Sequence, residues 1–189
     1  MADYTPDTIQ CNGEIFKPFL SAEELEERIS QLGRQLSREY DDKHPIFIGV
    51  LNGAYIFLSD LMRKVTIPCE VDFLKLSSYG DEKVSSGQVT SLKEIDANIE
   101  DRHVVLVEDI VDTGLSMKYL LRELGKKNPA SLATVTLLHK KEATHHDVQL
   151  DYVGFEIPNL FVLGYGLDYA QEGRNLAQIY ILDDGEEEE

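Results

Sequence analysis

Tryptophan is missing from this chain of 189 residues, and cysteine occurs only twice, as Cys11 and Cys69. The two cysteines are far apart, with no C-x-x-C spacing and no neighbouring histidine cluster. That excludes a disulfide-stapled scaffold or a zinc ribbon and predicts a pair of reduced thiols in a cytoplasmic protein. Long hydrophobic runs are also missing. The longest mostly apolar stretch, Ile46 to Leu58, is 13 residues and contains Asn52 and Gly53, too short to cross a bilayer. Met1 to Gln10 has neither an apolar run nor a basic flank, so no signal peptide is expected. Positive charge is scarce: 18 Lys and Arg stand against 35 Asp and Glu, a net charge of −17. Six of the acids, Asp183, Asp184 and Glu186 to Glu189, sit in the C-terminal tail and leave the body at −11. Such a surface repels nucleic acid and anionic membranes. It would also repel a polyphosphate, so a polyphosphate substrate would need a divalent cation as mediator. No internal repeat is visible.

What is present is enough for one globular domain. The hydrophobic content of 42% supports a sizeable core. The expected organisation is a single domain over residues 1–182 followed by an acidic tail over 183–189. Ser21-Ala22-Glu23-Glu24 reads as a capping box. Behind it Leu25, Ile29, Leu32, Leu36 and Tyr40 recur at spacings of three and four, the stripe of an amphipathic helix. Strands are predicted at Ile46 to Leu51, Glu70 to Ser77, Val104 to Glu108 and Leu132 to Leu138, with helices over Ala54 to Val65 and Ser116 to Lys126. Three short strands follow, Asp151 to Phe155, Phe161 to Leu163 and Ile179 to Leu182. Tyr79 to Ser91 is polar and reads as a long loop, the length of a functional lid. Alternating strands and helices predict an α/β fold, a central parallel sheet flanked by helices, with the N-terminal strand open to assignment to a small hood. Ligands of such sheets bind at the carboxyl ends of the strands. That places Leu51 to Gly53, Ser78, Glu108 to Ser116 and Lys140 at one rim.

The most informative run is Val104-Val105-Leu106-Val107-Glu108-Asp109-Ile110-Val111-Asp112-Thr113-Gly114-Leu115-Ser116. A buried apolar strand leads to two adjacent carboxylates, then a third carboxylate, a hydroxyl, a glycine and a second hydroxyl before a helix. Such a junction aims backbone N–H groups and a helix dipole at one spot, which suits phosphate. The carboxylates beside it suit sugar hydroxyls or a cation. The plainer alternative is a capped turn, with Asp112 or Thr113 as N-cap. No G-x-x-x-x-G-K-[ST] occurs, which excludes a P-loop. Gly164-Tyr165-Gly166-Leu167-Asp168-Tyr169 lacks the third glycine of a dinucleotide fingerprint.

This run resembles the signature of the type I phosphoribosyltransferases, which bind 5-phosphoribosyl-1-pyrophosphate. Four further segments are similar to the family's hypoxanthine(-guanine) branch: Gly49 to Gly53, Leu76 to Gly80, Asp151 to Asn159 and Val162 to Tyr169. The resemblance spans nearly the whole chain. It implies the type I phosphoribosyltransferase fold with a small hood subdomain, purine salvage from hypoxanthine or guanine, and Mg²⁺. It also implies small-molecule substrates, no nucleic-acid or membrane partner, and a homo-dimer or homo-tetramer. Residue by residue, it implies Asp112 as general acid/base at purine N7, and Thr113, Gly114, Leu115 and Ser116 with Asp112 around the 5′-phosphate. Glu108 and Asp109 match the acids at the ribose hydroxyls and Mg²⁺ ligands there, and Asp168 matches the carboxylate that binds a second Mg²⁺ on the pyrophosphate side. Lys140 matches the donor to the 6-oxo group, a role suited to a side chain with donors only. Without the family, Lys140 reads as a solvated strand-end lysine like Lys141. Phe161 and Val162 match the stacking ring and the backbone that reads the base edge. Asn52 and Gly53 match a loop that meets pyrophosphate through backbone N–H groups, in many relatives across a non-proline cis peptide. Many relatives carry lysine or arginine where Asn52 stands. Ser78 and Tyr79 match lid residues, and Arg174 matches an arginine on pyrophosphate. His145 and His146 show no metal spacing. Two other readings stay open: a catalytically silent regulator of the same fold, which the body charge of −11 and the missing DNA-binding domain disfavour, and an enzyme preferring xanthine.

Overall fold

The computed structural model describes residues 7–78, 89–183 and 185. Its centre is a six-stranded sheet built from β3 (Ile46–Leu51), β4 (Glu70–Ser78), β5 (Val89–Lys93), β6 (His103–Val111), β7 (Ser131–His139) and β8 (Tyr152–Glu156). The strand order is β5-β4-β3-β6-β7-β8. Every neighbouring pair from β4 to β8 is parallel. The inner strands carry continuous apolar runs because helices cover both faces. Phe47, Val105, Val107, Val135 and Leu137 face one core cluster, while Ile46, Ile48, Val50, Val104 and Leu106 face the other.

The edge strand departs from the parallel expectation. β5 lies antiparallel to β4, pairing Ser78 with Val89 and Leu76 with Ser91, so the sheet is mixed. It begins inside the stretch read as a loop. β5 is held by its ladder rather than by burial, since Leu92 remains 63% exposed. Hydrophobic patterning therefore carries little trace of it.

Helix α1 (Ala22–Glu39) starts at the expected capping box. Ser21 Oγ accepts from Glu24 N–H, and the Glu24 carboxylate accepts from Ser21 N–H. Its buried stripe, Leu25, Ile29, Leu32 and Leu36, is the one the spacing predicts. α2 (Tyr55–Met62) joins α1 on the first face, and α3 (Leu115–Gly125) buries Leu120 and Leu124 on the second.

The hood is a separate four-stranded antiparallel sheet, ordered β1-β2-β10-β9, from β1 (Ile9–Cys11), β2 (Glu14–Leu20), β9 (Val162–Leu163) and β10 (Ile179–Leu182). The last two of the short strands predicted late in the chain belong here, not to the central sheet. Only the first, now β8, extends the parallel array. Cys11, Phe16, Leu163 and Tyr180 form the hood's own core. Cys69 is exposed, and both thiols are free. Asp183 still belongs to the hood: its N–H donates to Ile15 O and its carboxylate lies 3.5 Å from Lys17. The rest of the acidic tail except Gly185 lies outside the described residues. Among the described residues no helix is long and apolar enough to cross a membrane.

Candidate active site

Strand β6 runs three residues beyond its expected end at Glu108, so Asp109 also lies inside the strand rather than after it. Glu108 is only 8% exposed. Burial, then the charge and hydrogen bond of Asp109 beside it, push its carboxyl well above the usual range. Asp109 is raised by burial too, against the pull of its hydrogen bond with Glu108 and the positive charge of Arg174. Two adjacent, poorly compensated carboxyls form a site that a cation or a pair of sugar hydroxyls would relieve.

The turn after β6 is not an ordinary capped turn. The N-cap of α3 is Gly114, at φ +84, and no side chain caps the helix. Thr113 Oγ1 reaches Leu115 N–H only at 3.4 Å. A residue with a Cβ would be strained at this φ and would crowd Val148, His146 and Thr144. The first-turn amides therefore line a pocket of about 100 Å³ with Glu108, Asp112, Thr113 and Ser116 on its walls. An uncapped helix N-terminus beside hydroxyls is suited to an anion.

Asp112 is not a cap. Its carboxylate is 3.1 Å from Lys140 Nζ, the lysine side chain being 10% exposed and that of Asp112 49%. Lys141, by contrast, is 69% exposed and reaches Glu156 at 3.4 Å. The two lysines are adjacent in sequence, but Lys140 points into the site and Lys141 into solvent.

Loop 51–53 follows β3, and its Leu51–Asn52 peptide is cis. Gly53 packs directly on Asp109: a Cβ there would lie 1.7 Å from Asp109 Oδ2. Gly166, at φ +101, packs on the other side, where a Cβ would lie 2.2 Å from Gly53 O. Gly166 in turn exchanges hydrogen bonds with Arg174: its N–H donates to Arg174 O at 2.9 Å, and Arg174 Nη1 donates to its carbonyl at 2.8 Å. Arg174 Nη2 lies 2.5 Å from Asp168 Oδ1, while Asp168 Oδ2 accepts from Gln171 N–H. The fold thus brings Asn52, Gly53, Glu108, Asp109, Asp168 and Arg174 into one continuous chain of contacts.

The expected Mg²⁺ ligands stand at two places, Glu108 with Asp109 and Asp168 apart from them. Among the described residues no three of His, Cys, Asp and Glu have metal-binding proximity. Glu108 and Asp109 stand together, whereas Asp168 is occupied by Arg174. That donor set still fits Mg²⁺, which is usually held by one or two carboxylates plus substrate phosphates and water. Phe161 lies on the hood just before β9, 40% exposed, its ring 5.1 Å from Tyr169 and 6.0 Å from Phe16. Val162 is buried and pairs with Ile181. Ser78 ends β4; Tyr79 and the expected lid up to residue 88 lie outside the described residues.

Sequence reasoning missed Gly166. Its signal is the Gly-x-Gly spacing at 164–166, which fails as a dinucleotide fingerprint and carries a packing role instead. Tyr165 was also missed; its hydroxyl donates to Asp60 Oδ2 at 2.5 Å and ties this loop to α2.

Two consequences of this packing can be measured. Gly53→Ala must displace either Asp109 or the loop. A shift of about 1 Å in a catalytic constellation is worth about 10²-fold in rate, and steady-state kinetics should show at least that loss. Glu108→Gln should stabilise the free protein. A raised carboxyl makes the folded state hold protons that the unfolded state has lost. Wild-type stability therefore falls as pH rises from the ordinary Glu range near about 4.3 towards the raised value. Glutamine removes that loss. Thermal melts at pH 8 should show the variant a few degrees higher, about 2–4 °C per kcal/mol for a domain of this size, with no gain at pH 4.

A family model described as the phosphoribosyl transferase domain matches residues 19–170. The hypoxanthine-guanine phosphoribosyltransferase of Bacillus subtilis is 43% identical over 169 residues, covering 89% of this chain and 94% of that protein. The bifunctional protein TilS/HprT of Listeria monocytogenes is 44% identical over 171 residues, and this chain spans only 26% of its length. Among solved structures, a hypoxanthine-guanine phosphoribosyltransferase of Bacillus anthracis superposes with a TM-score of 0.84 at 37% identity, covering 88% of this chain and 98% of that one.

Proposed function

Given that the chain belongs to the phosphoribosyltransferase family, we propose that it transfers a phosphoribosyl group from 5-phosphoribosyl-1-pyrophosphate to a 6-oxopurine. Hypoxanthine gives IMP and pyrophosphate; guanine gives GMP. The bond from C1′ to purine N9 forms as the bond from C1′ to pyrophosphate breaks, and pyrophosphate leaves with the electron pair. The reaction is a step of purine salvage in the cytoplasm, catalysed by a homo-oligomer.

The observation that carries this reading is the Asp112–Lys140 pair beside the uncapped start of α3. Asp112 takes the N7 proton of the incoming base and so makes N9 the better nucleophile. Lys140 turns its ammonium to O6. The 5′-phosphate sits on the amides of Gly114, Leu115 and Ser116, with the Thr113 and Ser116 hydroxyls beside it. Phe161 covers the purine ring, and the Val162 backbone reads its edge. Glu108 and Asp109 hold the ribose hydroxyls, and their depleted positive surroundings favour the cationic, oxocarbenium-like sugar of the transition state. Asn52 and Gly53 present backbone to pyrophosphate. Arg174 offers its fork to the same oxygens by exchanging its bond with Asp168. Ser78 and Tyr79 keep the resemblance's role of excluding water from the reacting centre. Glu108 and Asp109 at the ribose, and Asp168 on the pyrophosphate side, would hold Mg²⁺ together with the substrate, and the metal would supply positive charge against the pyrophosphate. A silent regulator would have no use for a buried lysine paired with an acid at the base subsite.

The test is direct. The purified protein, incubated with Mg²⁺, phosphoribosyl pyrophosphate and hypoxanthine, should yield IMP and pyrophosphate in equal amounts. No nucleotide with hypoxanthine, guanine or xanthine would overturn the reading.

A further inference from the structure

Asp112 and Lys140 reach each other from two different loops, and their registry needs an explanation. Thr144 supplies one. Its hydroxyl donates to the carbonyl of Asp112 at 2.6 Å and lies 3.0 Å from the carbonyl of Lys140, so one side chain bridges the two backbones. The third neighbour of the hydroxyl is His139 Nε2, at 3.2 Å. Burial lowers the His139 pKa, which keeps the ring neutral. An imidazole with its proton on Nε2 donates to the Thr144 oxygen and leaves the single hydroxyl hydrogen for the carbonyls. Around this contact, His145 and His146 N–H groups both reach Thr113 O at 3.2 Å, and Lys140 N–H donates to Val111 O at 2.9 Å. Segment 140–146 therefore wraps the turn that carries Asp112.

We propose that Thr144 is a positioning residue: through its hydroxyl it locks the backbone of Asp112 to that of Lys140 and so sets the spacing between the group that handles the base's ring proton and the group that reads its 6-oxo oxygen. This inference rests on the base-site reading above and adds a residue to it. The spacing of two contacts on one rigid purine cannot relax on the substrate's side. An error in loop registry therefore falls on both contacts at once. The 5′-phosphate loop keeps its other contacts, the two histidine amides on Thr113 O and, in a valine variant, a methyl group beside Gly114, so the sugar-phosphate substrate should not feel the change.

The experiment is a four-variant kinetic series with Thr144→Val, Thr144→Ser, Asp112→Asn and the Asp112→Asn/Thr144→Val double variant, each with a melting temperature. Valine keeps the shape and removes the hydroxyl. The expected result is a fall of about 10–10²-fold in kcat/KM for hypoxanthine, the scale of a lost alignment, with an unchanged KM for phosphoribosyl pyrophosphate. Serine should restore most of the activity. In the Asp112→Asn background the valine substitution should cost much less, because both act on the same step. The inference is overturned if Thr144→Val keeps wild-type hypoxanthine kinetics, if it raises both KM values alike, or if serine is as impaired as valine. A lowered melting temperature with intact kinetics would reduce Thr144 to a fold-stabilising residue and also overturn it. Full turnover in Asp112→Asn would instead defeat the base-site reading itself, whatever Thr144 does.

Discussion

Asparagine in place of Asp112 is expected to lower kcat by about 10²–10⁴-fold, the range for losing a general acid/base. The amide keeps the volume and one carbonyl oxygen of the side chain it replaces, so the turn should survive. The turn is held by Thr144 on the Asp112 carbonyl and by the His145 and His146 amides on Thr113, all independent of the Asp112 carboxylate. Nucleotide binding should therefore suffer less than turnover, because the α3 amides remain. Asp112 also pairs with Lys140. Removing its charge leaves a lysine whose side chain is 10% exposed without its counter-ion, and an elevated KM for the base should accompany the lost rate. Single-turnover kinetics would separate the two effects. A variant with near-normal chemical rate would remove Asp112 from proton transfer.

Rejection of adenine is the second large effect expected. Lys140 offers donors only, and adenine presents a 6-amino group, also a donor, where hypoxanthine presents oxygen. A buried ammonium facing another donor loses a charge-assisted bond and gains nothing. Sites built on such a bond discriminate by about 10⁴-fold. The ratio of kcat/KM for hypoxanthine over adenine, measured on one preparation, should be of that order. Lys140→Ala should collapse the ratio mainly by lowering the hypoxanthine value. Comparable use of both bases by the unaltered protein would show that Lys140 does not read position 6.

The parts of the molecule that are legible in its sequence share a local signal. The α1 capping box is four consecutive residues whose side chains and amides satisfy each other. The β6–loop–α3 junction combines an apolar run, paired acids and a glycine within 13 residues, and its chemistry follows from that order. What is not legible depends on distant partners. β1 has three residues, β9 has two, and β2 contains Pro18, so none presents a periodic pattern. They exist because β10 pairs with β2 and β9, and β2 in turn pairs with β1. β5 shows an exposed Leu92 rather than a buried stripe. The contrast between Lys140 and Lys141 is invisible in the residue types and appears only when β7 delivers the first to Asp112. The family resemblance supplied Asp168 as a metal ligand and Arg174 as a pyrophosphate ligand, but not that the two are paired with each other before substrate arrives. Gly53 matches a pyrophosphate loop; its contact with Asp109, across more than fifty residues of chain, shows why no side chain fits there.

The central claim is that one site holds the sugar phosphate on the first turn of α3 and the base between Asp112 and Lys140. A crystal structure of the protein with IMP tests it most directly. The 5′-phosphate should lie on the amides of Gly114 to Ser116, O6 within hydrogen-bonding distance of Lys140 Nζ, and N7 facing the Asp112 carboxylate. IMP bound with its phosphate away from that turn, or with its 6-oxo group turned from Lys140, would contradict it.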